Sequence, residues 1–247
     1  MKVICAGLSK TGTKSLAKAL RMLGFTVFDF PEHKKVHLHE WLDVYCQGKE
    51  PDFVSMYRNV DAVTDIPSAY WFQEIYETFP DAKVVLSVRD SEEVWVKSWV
   101  EQLEIIQTLG GVFNRILIRY PNRIKQWLFG KRVPIAFLEA IINGTFGSLN
   151  TQSTFLFKKK YREHNERVQA IIPKEKLLIY NVKQGWIPLC EFLGCEIPEE
   201  EFPRANVGLS FTKDLVSARL KSIQRNVIVF SLVLAVLATV FYVVYHW

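Results

Sequence analysis

The chain has 247 residues, 49% of them hydrophobic and 23% charged, with a formal net charge of +5. This composition excludes a disordered or collagen-like chain. The positive excess forms no long basic stripe interleaved with aromatics, so no nucleic-acid partner is expected. The charge is uneven: the last charged residue is Arg225, and residues 226–247 carry none.

From the N-terminus, Lys2 to Ala6 is a short apolar run that stops at Gly7, the pattern of a buried strand. Thr13 to Leu23 places Leu16, Leu20 and Leu23 at helical spacing, and Gly24 ends the pattern. Phe25 to Phe28 and Val60 to Val63 predict two more strands, and Ser68 to Phe79 a helix. Lys83 to Val88 is a continuously apolar strand, followed by a helix over Glu92 to Leu103. A long charged helix over Phe155 to Ile172 comes next, then a strand over Lys176 to Ile179. A short helix over Ile187 to Leu193, closed by Gly194, completes the series. Continuously apolar strands alternating with helices predict an α/β fold, a parallel sheet with helices on both faces.

Residues 103–152 fit the alternation least. They are rich in aromatics, glycine and basic side chains (Arg115, Arg119, Arg123, Lys125, Lys131, Arg132) and are expected to form a helical lid over the sheet's carboxyl edge. Cys5, Cys46, Cys190 and Cys195 have neither metal-ligand nor redox spacing and are expected to be reduced structural thiols. His33, His37 and His39 match no standard metal site; a solvated loop is expected there, and no metal. The sequon Asn143-Gly144-Thr145 would accept a glycan only in a lumenal domain.

The tail stands apart. Val227 to Tyr245 contains no charge, Gly or Pro, and as a helix it rises roughly 29 Å, enough for a bilayer's hydrocarbon core. Tyr242, Tyr245 and Trp247 cluster at one end, as an interfacial aromatic belt does. Just upstream, Lys213, Arg219, Lys221 and Arg225 face a single Asp214, an excess that favours a cytosolic upstream side. The apolar stretch of the N-terminal MKVICAGLSK is too short for a signal peptide. The expected organisation is a cytosol-facing domain over 1–212, a basic segment over 213–225 and a transmembrane helix over 226–247. Residues 227–245 would then fix the protein in a lipid bilayer as a tail anchor.

The first strand runs into Gly7-Leu8-Ser9-Lys10-Thr11-Gly12-Thr13-Lys14-Ser15. A strand, a turn rich in glycine and hydroxyls, and a helix N-terminus together present free backbone N–H groups to an anion. The ATP/GTP loop requires Lys directly after its second Gly. Here Thr13 intervenes and displaces Lys14, whereas Lys10 lies inside the loop, within reach of a bound phosphate.

Lys10-Thr11-Gly12-Thr13 resembles the Lys-Ser-Gly-Thr loop of sulfotransferases. GLSKTGTKSL as a whole is most similar to the short P-loop sulfotransferase-like branch. The resemblance spans about Met1 to Asn206, with 103–152 unmatched. It implies a P-loop-type sheet and 3′-phosphoadenylyl sulfate (PAPS) as co-substrate, its 5′-phosphosulfate held by Ser9, Lys10, Thr11, Gly12, Thr13, Lys14 and Ser15. It also implies that Lys10 steadies the bridging oxygen as the sulfuryl group leaves.

Lys83 to Asp90 reads as a buried strand ending in Arg89, with Ser98 in the next helix. In the resembling family such an Arg and Ser hold the nucleotide's 3′-phosphate, by a bidentate guanidinium contact and a hydroxyl. Arg89 to Ser98 is one residue longer than the family spacing, which leaves Ser91 as an alternative hydroxyl. Tyr180 to Gly194 resembles the family's late strand and its helix ending in Glu-Phe-Leu-Gly. Phe202-Pro203-Arg204 then makes Arg204 a candidate second contact to the 3′-phosphate.

Thr64-Asp65-Ile66-Pro67 stands where many sulfotransferases have Thr-His-Leu-Pro, whose His is the general base. Asp65 is the corresponding candidate base, provided that burial raises its pKa from about 3.9. Capping of the helix near Ser68 is the other role open to it.

The expected function is sulfuryl transfer from PAPS to a hydroxyl or amine of a small-molecule or lipid acceptor. The alternatives are an ATP-dependent small-molecule kinase and a non-catalytic, membrane-tethered nucleotide-binding protein.

Overall fold

Five short strands form one all-parallel sheet in the order β2-β3-β1-β4-β5. The strands are β1 (Val3–Cys5), β2 (Val27–Phe28), β3 (Ala62–Val63), β4 (Lys83–Ser87) and β5 (Leu177–Tyr180). The computed structural model describes residues 1–117, 133–205 and, toward the C-terminus, 221, 224, 225, 228–232, 236 and 238–245.

β1 pairs with β3 on one side and β4 on the other, with Val3 opposite both Ala62 and Lys83. Such a central strand is covered on both faces, which is why Val3, Ile4 and Cys5 are all buried and apolar. From β1 the chain winds toward β2, and from β3 it crosses to β4. The carboxyl ends of β1 and β3 therefore flank the point where the winding reverses, the crevice at which open α/β sheets bind ligands.

The helices are α1 (Thr13–Met22), α2 (Phe30–Val36), α3 (Leu38–Gln47), α4 (Phe53–Met56), α5 (Phe72–Thr78), α6 (Glu92–Leu117), α7 (Val133–Phe146), α8 (Thr154–Ile171) and α9 (Trp186–Leu193). Leu16 and Leu20 of α1 and Leu189 of α9 share one core layer with Val3, Cys5 and Val85. Strand side chains alternate, and the other face of the sheet meets α5, which packs on β1 and α8. Gly24, at φ 85°, ends α1 as the sequence predicts. All four cysteines are free thiols.

The α/β expectation holds, and its strands and helices fall close to their predicted positions. Three differences have physical causes. First, β2 ends at Phe28 and α2, α3 and α4 fill the interval to β3. Asp29 starts α2 with a capping box: Glu32 accepts the Asp29 N–H at 3.0 Å, while the Asp29 carboxylate caps the helix amides. Second, His33 and His37 are not in a solvated loop. Both are buried against Phe28 and Tyr57, with ring centroids 5.4–6.1 Å apart, and His33 also meets Trp41 at 6.1 Å. Burial pushes the His33 imidazole down to about 3, so it is neutral at ordinary pH.

Third, the transmembrane helix expected at 226–247 is corrected. No helix among the described residues is long and apolar enough to cross a membrane. The single-pass, tail-anchored placement in a bilayer falls with it.

Two compact units divide the chain: Met1–Glu104 with Ala136–Val207, and Ile105–Ile135 with Gly208–Trp247. The sheet and all the candidate site residues belong to the first. The centre of the expected lid (118–132) and most of the basic segment (213–220, 222 and 223) lie outside the described residues. α6 continues past Leu103, where the lid was expected to begin, as far as Leu117.

Candidate functional site

After β1 the chain turns sharply into α1. Lys10 (φ 75°) and Gly12 (φ 100°) both adopt left-handed backbone, and Gly12 is the N-cap of α1. No side chain caps this helix and no acid lies in its first turn, so its amides and positive end are left for an anion. Two glycines are required by close approach. A Cβ on Gly7 would run into the side chain and carbonyl of Ser87, at the end of β4. A Cβ on Gly12 would lie 2.6 Å from Val182 Cγ1, in the turn after β5.

Thr11 ties the loop together. Its hydroxyl donates to the Leu8 carbonyl at 2.7 Å and accepts from the Ser87 hydroxyl at 2.7 Å. Lys10 is half-buried, with Nζ 3.4 Å from Gln102 Oε1 of α6. Burial, against the pull of Asp65, brings its ammonium down to about 8.

Asp65, which follows β3 across the crevice, is the hub of the loop's far side. Its carboxylate accepts from Ser9 Oγ, from Thr13 Oγ1 at 3.1 Å and from its neighbour's Ile66 N–H at 2.8 Å. Lys14 Nζ lies 3.3 Å from the same carboxylate and 2.7 Å from Asp29 Oδ1. Burial alone would raise the Asp65 carboxyl, but Lys14 and the Ser9 and Ile66 donors hold it below its ordinary value. The raised pKa expected of a base is therefore absent, and the side chain does not cap the helix near Ser68. Burial lifts Asp29 to about 6 against the pull of Lys14. Burial also works against the Lys14 ammonium, yet the two carboxylates hold it above its ordinary value.

Arg89 lies two residues beyond β4. Its backbone N–H donates to the Tyr161 hydroxyl at 3.1 Å, and its buried Nε has no hydrogen-bond partner among the described residues. Asp90, which could have neutralised it, is instead bound by Lys183 at 2.5 Å and by the Asn181 amide at 2.9 Å. Ser98 is half-buried on α6. The Ser91 hydroxyl is engaged by the Val94 N–H at 3.3 Å, which disfavours it as the substitute. Ser15 Oγ accepts the Ala205 N–H at 2.9 Å, so the segment bearing the exposed Arg204 is tethered to α1.

The fold thus brings Ser9, Thr13 and Lys14 onto Asp65, and brings Arg89 to the end of the strand adjoining the loop. Residues that sequence reasoning missed are Asp29, Gln102, Trp95, Tyr161 and His164. Asp29 had a legible signal, since Asp-Phe-Pro-Glu carries an N-cap, a Pro in the first turn and an acid at the third helical position. The others are distant in sequence and carry no local pattern.

A family model described as "Sulfotransferase domain" matches residues 2–211. The chain is also 29% identical over 215 residues to "Ava biosynthesis cluster protein M" of Aspergillus versicolor, covering 82% of this chain and 80% of that protein.

Proposed function

The chain belongs to the sulfotransferase domain family, and we propose that it moves a sulfuryl group from PAPS to a hydroxyl or amine acceptor. The observation that carries this reading is the pairing of the uncapped loop with a buried guanidinium nitrogen just beyond the neighbouring strand, unpartnered among the described residues. A 5′-phosphosulfate and a 3′-phosphate are what these two places would hold. The co-substrate would supply the sulfuryl group and leave as 3′-phosphoadenosine 5′-phosphate (PAP).

The loop amides between Ser9 and Ser15, apart from the Thr11 N–H that donates to the Leu8 carbonyl, bind and orient the 5′ end, and Lys10 offsets the charge that develops on the leaving phosphate. Arg89 grips the 3′-phosphate, with Ser98 and Arg204 as its partners in this reading. Asp65 is assigned a different role from that of a general base. A carboxylate held ionised and engaged by donors from Ser9, Thr13, Lys14 and Ile66 is a strut that fixes the loop.

A kinase reading would need a lysine beside the transferred phosphate, and Lys14 is held instead between Asp29 and Asp65. Calorimetric titration of the full chain tests the proposal. PAP should bind, with Mg²⁺–ATP unable to compete. Tight binding of Mg²⁺–ATP with no response to PAP would refute it. Lys10→Ala, still binding PAP but more weakly and losing turnover of PAPS, would separate an enzyme from a nucleotide-binding module.

A further inference from the structure

The amides of an anion cradle must face inward, and here much of what orients them lies outside the loop. In a trans peptide the carbonyl and the N–H that follows it point in opposite directions. The peptides of the loop are trans, and three of their carbonyls are gripped by side chains. His164 Nε2 lies 2.7 Å from the Ala6 carbonyl, Thr11 Oγ1 donates to Leu8 at 2.7 Å, and Trp95 Nε1 donates to Ser9 at 2.9 Å. The N–H groups of these same peptides belong to Gly7, Ser9 and Lys10. Each is aimed away from its peptide's carbonyl partner, and none makes a hydrogen bond among the described residues.

Two of the three grips come from helices remote in sequence. Trp95 sits on α6 and stacks on Tyr161 of α8, with ring centroids 4.4 Å apart and planes within 12°. Tyr161 takes the Arg89 N–H, and His164 lies one turn farther along α8. Burial brings the His164 imidazole down to about 4, so it is neutral, and a carbonyl partner requires the proton on Nε2.

We infer that Trp95 and His164 are positioning residues for the phosphate loop, acting through the Ser9 and Ala6 carbonyls to aim the Lys10 and Gly7 amides at the bound anion. Trp95 also bears on Lys10 itself. Fixing the Ser9–Lys10 peptide holds Lys10 in its left-handed conformation, a costly state for a residue other than glycine. The inference rests on reading the loop as the cradle for the 5′ end of PAPS.

The test uses the full chain and two nucleotides, PAP and adenosine 3′-monophosphate, which lacks the 5′-phosphate. Trp95→Phe keeps an aromatic ring for the stack but removes the N–H together with part of the buried indole. His164→Phe deletes the donor, and His164→Gln supplies an amide N–H in its place. Trp95→Phe and His164→Phe should each weaken PAP by about tenfold, leave adenosine 3′-monophosphate unchanged, and be distinguished by rescue in His164→Gln. If Trp95→Phe fails to fold, the His164 pair carries the comparison.

Unchanged PAP affinity in both deletions, or a parallel loss for the two nucleotides, overturns the inference. A wild-type chain that ignores PAP overturns the co-substrate reading alone. Inorganic pyrophosphate, which needs only the loop, then makes the same comparison, and equal affinity in Trp95→Phe and the wild type again overturns the inference.

Discussion

The Lys14 ammonium lies 2.7 Å from the Asp29 carboxylate. Asp65 completes a buried arrangement of one cation between two acids, 3.3 Å from the same nitrogen. The lysine that superficially suggests a nucleotide-triphosphate loop is therefore an internal counter-ion.

Removing that counter-ion leaves two carboxylates facing each other out of water. Lys14→Met should cost about 3–5 kcal/mol of stability, read from the denaturant midpoint. The double change Lys14→Met with Asp29→Asn should recover part of the loss. A single variant as stable as the wild type would show that the pair carries little.

Asp65→Asn distinguishes a strut from a base. As a strut, the carboxylate supports the loop through Ser9, Thr13 and Lys14, so PAP affinity should fall by roughly ten- to a hundredfold. Intact PAP affinity with turnover abolished would restore the base.

Lys10 sets a pH limit on nucleotide binding. Its ammonium titrates at about 8 because burial disfavours the charge. PAP affinity should fall as the pH rises through that value. Lys10→Arg, which stays charged, should flatten the alkaline limb. An unchanged limb in Lys10→Arg would move the titration to another group.

Buried imidazoles contribute to the loss of stability at acid pH, against an opposite contribution from the raised Asp29 carboxyl. His33 is lowered to about 3 and His164 to about 4, in both cases mainly by burial. Between those values and 6.5 the unfolded chain binds more protons, so stability is present above 6.5 and is lost as the pH falls through the window. Each group contributes a slope of at most about 1.4 kcal/mol per pH unit. Urea titrations between pH 4 and 7 should show the fall, and His33→Phe should make it shallower. A slope untouched by that change would assign the acid sensitivity elsewhere.

Gly12 faces two demands that a double variant separates. Gly12→Ala meets Val182 and must also hold φ 100°, so a loss above about 1 kcal/mol is expected. Adding Val182→Ala relieves the contact but not the backbone, and should restore only part of it. Full restoration would assign the whole cost to packing.

Much of the fold was legible because burial on both faces leaves a strong mark. Lys83 to Val88 and Lys2 to Ala6 read as strands, since nothing polar is tolerated at most of their positions. The loop was legible because its glycines and hydroxyls lie in one short run. The orientation of Lys14 was not, because Asp29 and Asp65 lie 15 and roughly 50 residues on and meet it only when β2 and β3 line up beside β1. His33 and His37 were misjudged for a related reason. Their burial depends on Phe28, Trp41 and Tyr57 closing round them, and polar residues between short helices look like a loop. For the tail, hydropathy measures composition alone, and no helix among the described residues is both long and apolar enough to cross a membrane.

The contact between Gly12 and Val182 bears on how separable this loop is from its protein. A graft of residues 7–15 onto another strand–helix junction would transplant the glycine without the side chain that demands it. Such a chimaera would tolerate bulk at position 12 as far as its backbone allowed, and nothing from the far end of the sheet would press the turn shut. The loop is portable as a string of letters, but its shape is set jointly with a turn encoded 170 residues later.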